Sequence, residues 1–236
     1  EHLKHLPMIF EQKGIIASFS SKPFHEACGF WAGRDRLFWA RASFTDRLAV
    51  FGKLLNNADV NLHFEDAFRP LGVQEGLFKR RVNWTKRDHP DWTEDRVVQE
   101  ARSKTAAIAR LASHKGGAAV DATLKDSSGE NLTFGHDYPD GGALVFPRTP
   151  YVTAEQWRNR QLFQVAAGLS GLTLYVGEDW HVSYGDNLAS LDINGEVDPN
   201  YVAKYGPIKS FEAWDETGHI TNVYSEKEMD EVFPME

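Results

Sequence analysis

Apolar residues along this chain recur with two different periods. Between Thr45 and Asn56, the positions Leu48, Phe51, Leu54 and Leu55 fall at helical spacing, which predicts a helix capped by Ser43 or Thr45 and ended by Asn56-Asn57. Val60, Leu62 and Phe64 then alternate with Asn61, His63 and Glu65, the period of a half-buried strand, and Pro70 must end it. Val97, Val98, Ala101, Ile108 and Leu111 predict a long helix over about residues 93–111. Gly116-Gly117 breaks the chain, residues 118–124 read as a buried strand, and Thr153-Ala-Glu-Gln156 forms a capping box opening a helix to about Gly168. Residues 172–176 are a short β-rich run. The early aromatics Phe19, Phe24, Phe30, Trp31, Phe38 and Trp39 show no period and read as irregular structure packed on the core. Because strands and helices do not alternate regularly, the expected class is α+β, an antiparallel sheet with packed helices.

Composition narrows the picture. A chain of 236 residues is expected to form one domain over 1–236, with 1–43 an irregular N-terminal segment and 225–236 an acidic, solvated tail. The net charge is −8 and the longest basic run is Lys79-Arg80-Arg81, so nucleic acid is not an expected partner. No apolar stretch approaches eighteen residues, which predicts no membrane-spanning helix. Cys28 is the only cysteine, so an internal disulfide and thiolate-rich metal sites are excluded, and any metal must be held by His, Asp or Glu.

The chemistry concentrates in Ser113-His-Lys-Gly-Gly-Ala-Ala-Val-Asp121. The glycine pair permits a tight turn, and the following strand carries Asp121 back towards His114. An unpaired buried carboxylate is costly, so the two residues are expected to share a partner. They supply two of the three protein ligands of a catalytic zinc, which leaves a fourth position for water. His181, in Glu178-Asp-Trp-His181, is the candidate third ligand, and Glu178 the candidate general base. In a regular strand residues three apart face opposite sides, so this pairing requires a bend near Asp179-Trp180. Arg69 could stabilise an oxyanion, or form a structural ion pair with Glu65 or Asp66.

Ser-His-x-x-Gly-x-Ala-x-Asp followed by Glu-x-Trp-His resembles the zinc D-Ala-D-Ala dipeptidase and carboxypeptidase family, whose fold is shared with hedgehog domains. Asp66-Ala-Phe-Arg-Pro70 is similar to the Asp-Ala-Tyr-Arg-Pro segment of the dipeptidase branch, which includes the vancomycin-resistance dipeptidase; Asn159-Arg160 points the same way. The resemblance covers about residues 44–185. It implies one Zn2+ per chain on His114, Asp121 and His181, Glu178 as base, Arg69 as transition-state stabiliser, Ser113 beside the substrate carboxylate, and a small peptide substrate ending in D-Ala. Asp137, in Phe134-Gly-His-Asp-Tyr138, matches the dipeptidase aspartate that binds the free amine, although Gly135-His136 and Pro139 depart from the family's Phe-Asp-x-Met. Two rivals follow: a D,D-carboxypeptidase or peptidoglycan endopeptidase with the same chemistry, and a non-catalytic zinc-stabilised binding module.

Overall fold

Val60, Leu62 and Phe64 are buried on one side of a strand, and that strand organises the sheet that carries the candidate ligands. The computed structural model describes residues 1–104, 113–139, 142–191, 196–225, 227, 228 and 231. Its strands are β1 (Leu3–His5), β2 (Ala17–Phe19), β3 (Trp39–Arg41), β4 (Val60–Asp66), β5 (Ala119–Asp126), β6 (Asn131–Leu132), β7 (Thr173–Leu174), β8 (His181–Ser183), β9 (Ile208–Trp214) and β10 (Thr217–Val223). Its α-helices are α1 (Leu6–Gln12), α2 (Ala42–Asn56), α3 (Leu71–Asp88), α4 (Glu94–Lys104) and α5 (Ala154–Leu169).

Among the described residues the strands form two sheets. The larger runs β2-β4-β5-β8-β7, with β6 on β5; the smaller runs β3-β1-β10-β9. All pairings are antiparallel except β2 with β4, which is parallel. The class is therefore α+β, with one parallel pair added to the expected antiparallel sheet. Leu48, Phe51 and Leu55 of α2 and Phe163, Ala166 and Ala167 of α5 pack on Leu62, Phe64, Val120, Ala122, Leu124 and Val182 of the larger sheet. Among the described residues, no helix is long and apolar enough to cross a membrane.

The first forty residues are not irregular. They supply β1, β2, β3 and α1, but the strands are three residues each, too short to show a period. Arg41, not Ser43 or Thr45, precedes α2, and the Glu1 carboxylate accepts from the Ser43 amide in place of a capping side chain. The capping box on α5 is present: Gln156 N–H donates to Thr153 Oγ1 at 3.2 Å and Thr153 N–H to Gln156 Oε1 at 2.9 Å. The predicted 93–111 helix is seen as α4, with 105–112 outside the described residues, as is most of the 225–236 tail.

Helix α3 and the β9–β10 hairpin have no counterpart in the sequence reading. Helix α3 buries only a narrow strip, Val73, Gln74, Gly76 and Thr85, so half of its contact face is not apolar. Gly76 lies against the 3-10 turns at Glu26–Trp31, where an added Cβ would stand 2.5 Å from Cys28 Cα and collide with the Ala27 carbonyl. Alanine gains about 1 kcal/mol of helix propensity over glycine. Here that gain is outweighed by overpacking against backbone that cannot rotate away. Gly76→Ala is expected to destabilise the protein by about 1–3 kcal/mol, measured by urea denaturation; an unchanged or raised midpoint refutes the close packing.

Candidate metal centre

The glycine turn after His114 works as expected. Gly117 has φ +66°, and a Cβ there would meet Leu3 Cδ2 at 2.7 Å, so both conformation and space require glycine. The smaller sheet braces the turn from behind. Arg41 N–H donates to Gly117 O at 2.8 Å, and its Nε donates to Gly116 O at 2.8 Å.

Asp121 sits in β5 with Asp66 opposite it on β4 and His181 opposite it on β8. Residues directly opposite share a face of the sheet, so register alone brings the second and third candidate ligands together across sixty residues of sequence. Asp121 Oδ1 lies 3.2 Å from His114 Nε2 and 3.2 Å from His181 Nδ1. One ligand atom from each of the three residues can be chosen within 4.8 Å of the others, and all three residues are buried. Tetrahedral zinc with bonds of 2.0–2.1 Å separates its ligand atoms by about 3.3 Å, which the two Asp121–imidazole separations match.

The surrounding hydrogen bonds orient His114 and Asp121, two of the candidate ligands. His114 Nδ1 donates to the Ala67 carbonyl at 2.7 Å, which fixes the tautomer and leaves Nε2 with its lone pair towards Asp121. Burial and the Arg69 charge push the His114 imidazole down, favouring the neutral, ligating form. Asp121 divides its oxygens. Oδ1 faces the imidazoles, while Oδ2 accepts from Arg69 Nη2 and from the Tyr138 hydroxyl at 2.9 Å. Burial alone would raise the Asp121 carboxyl, but His114 and Arg69 outweigh it and hold it well below the usual carboxylate range.

Arg69 donates through Nε to Asp66 Oδ2 at 2.8 Å as well as to Asp121, and so ties two adjacent strands together. The structural ion pair with Asp66 is present; the bond to the candidate ligand Asp121 was not legible. Glu178 stands on the turn before β8. Tyr175 O accepts from its amide at 3.5 Å, and its own carbonyl accepts from the His181 amide at 3.4 Å. This is the bend that the Glu178–His181 pairing requires. Glu178 Oε2 reaches to 3.9 Å from His181 Nδ1, and its side chain is 33% exposed against 3–6% for the three ligands, so it faces the open side. Burial and the Asp121 charge raise its carboxyl.

Ser113 flanks His114, buried, with no hydrogen-bond partner for Oγ among the described residues. Asp137 is exposed, and it is the next residue, Tyr138, whose hydroxyl enters the centre. Burial and Asp121 raise that phenol well above its ordinary value and keep it a donor. Sequence reasoning missed Tyr138, and it missed a second buried cluster behind the turn. His136 Nε2 lies 3.0 Å from both Asp179 oxygens, and Arg160 Nη2 lies 3.0 Å from Asp179 Oδ2. The only signal was that Gly135-His136 and Pro139 break the family pattern.

No curated protein matches the sequence. Two solved structures are similar at low identity. The first is described as the LdcB LD-carboxypeptidase and the molecular basis of its peptidoglycan recognition, at 16% identity and TM-score 0.43, covering 72% of this chain and 65% of that one. The second is a variant of the vancomycin-resistance D,D-pentapeptidase VanY in complex with Zn(II), at 14% identity and TM-score 0.38, covering 73% and 88%. The chain thus spans about two thirds of the length of the LdcB structure. A family model described as Peptidase_M15, D-ala-D-ala dipeptidase, matches residues 34–202, most of the chain and all of the centre described above. With that match over more than half of its length, and with a buried His114, Asp121 and His181 cluster that could hold the zinc on which the family depends, the chain belongs to the M15 peptidases.

Proposed function

We propose that this protein is a zinc-dependent dipeptidase that hydrolyses the amide bond of D-alanyl-D-alanine, with His114, Asp121 and His181 as metal ligands. The observation that carries this reading is Glu178, a carboxylate with raised proton affinity placed 3.9 Å from a ligand nitrogen on the open side of a three-ligand site. A purely structural zinc needs neither an open position nor an adjacent base, which argues against the binding-module alternative.

When bound, the zinc supplies a Lewis acid that polarises the scissile carbonyl and acidifies water. Glu178 accepts the proton lost by the attacking water and passes it to the leaving amine. Arg69 keeps Asp121 ionised and oriented, and its fixed charge favours the oxyanion that develops beside it. The buried, unpartnered Oγ of Ser113 is available to the substrate carboxylate. Asp137 takes the free amine in this reading.

The exposure of Asp137 favours a second reading, a D,D-carboxypeptidase or peptidoglycan endopeptidase that needs no amine site. The two separate in one assay of D-alanine release from D-Ala-D-Ala and from its N-acetylated form. The dipeptidase reading expects the free dipeptide to be cleaved at least tenfold faster, the discrimination of about 1.4 kcal/mol that one lost charged contact supplies. Preference for the blocked substrate overturns it in favour of the second reading.

A further inference from the structure

His181 has two ring nitrogens, and only one can face the metal. Nδ1 is the one beside Asp121 Oδ1, at 3.2 Å, so in the ligating neutral form Nδ1 presents its lone pair and the proton sits on Nε2. That Nε2 is buried and has no partner among the described residues. A buried N–H without an acceptor costs about 1–3 kcal/mol, and a ligating imidazole normally donates its second N–H to a carboxylate, carbonyl or water.

A matching acceptor lies on the same face of the strand. Asp186 is 2% exposed, and its Oδ2 is likewise buried and without a hydrogen-bond partner. Its other oxygen, Oδ1, accepts from Ser183 Oγ at 2.9 Å. Ser183 is two residues beyond His181 in β8, so the two side chains project from one face, and the serine draws the carboxylate to the side on which His181 lies. The intervening turn is built to return the chain. Gly185 has φ +71°, and its carbonyl accepts from the Lys204 and Tyr205 amides at 2.7 and 3.1 Å.

We propose that Asp186 is the positioning residue of His181, receiving the Nε2 proton through one buried water so that Nδ1 is fixed towards the metal. The proposed link is a water-bridged form of the carboxylate–histidine–zinc arrangement, with Ser183 Oγ holding the carboxylate from its other oxygen. A single water with His181 as donor and Asp186 as acceptor satisfies two buried polar atoms at once. This inference rests on the reading that His181 ligates zinc.

Two measurements test it. Zinc affinity by chelator competition is expected to fall about 10–100-fold in Asp186→Ala, with Tyr201→Phe, whose phenol also feels the Asp186 charge, unchanged as the control. In the zinc-loaded wild type, nitrogen-15 spectra of the imidazoles are expected to show His181 protonated at Nε2 with a slowly exchanging proton. That second measurement needs no variant and stands even if Asp186→Ala fails to fold. Wild-type zinc affinity in folded Asp186→Ala, or an unprotonated Nε2, overturns the proposal. His181→Ala binding zinc as tightly as wild type would instead overturn the ligand assignment beneath it.

Discussion

Glu178→Gln is expected to lower kcat for D-Ala-D-Ala by about two to four orders of magnitude while zinc content stays at one per chain. The substitution keeps the size and shape of the side chain and removes only its ability to take a proton. Glu178 is outside the three-residue candidate ligand set, and its carboxylate, 3.9 Å from His181 Nδ1, is partly open. Partial burial and the neighbouring Asp121 charge move its proton affinity upward, towards the value at which one group can both accept a proton from water and release it to an amine. Zinc is measured by mass spectrometry on the same samples used for kinetics. A kcat reduced less than tenfold removes Glu178 as the base, and a loss of zinc in parallel makes it a ligand instead.

How much of this centre the sequence could reveal depended on sequence separation. His114 and Asp121 are seven residues apart, and a glycine turn followed by an apolar strand leaves few ways for them not to meet. The Asp121–His181 contact depends on the register of β5 against β8, which no local pattern encodes; resemblance supplied it. Arg69 was legible as a charged residue at a strand end, but its bond to Asp121 requires knowing that β4 and β5 are neighbours. The same holds in the fold. The long periods of α2 and β4 were readable, whereas β1, β2 and β3 were too short. Strand β9 exposes every second residue and more, which weakens the alternation that marks a strand.

The largest stability effect is expected at Arg160, a residue whose burial a helical pattern cannot anticipate because a basic side chain on a surface helix ordinarily faces water. Its side chain is fully buried. Nε donates to Phe134 O at 2.7 Å, Nη1 to Phe146 O at 2.9 Å, and Nη2 to Leu144 O at 2.7 Å and to Asp179 at 3.0 Å. One guanidinium thereby ties α5 to Phe134, Leu144 and Phe146 and to the turn that presents Glu178 and His181. Arg160→Ala would leave the Asp179 carboxylate, 0% exposed, with His136 as its remaining side-chain partner among those described, and would strip the carbonyls of Phe134, Leu144 and Phe146 of this donor. Removing one member of a buried ion pair costs about 3–5 kcal/mol. Arg160→Lys should recover little of this, because one ammonium cannot serve a carboxylate and three carbonyls arrayed around a planar fork. Urea denaturation of the zinc-free proteins measures the loss without contribution from the metal. A midpoint within error of wild type for Arg160→Ala would mean that the turn carrying Glu178 is held by other contacts, and that the guanidinium merely fills space.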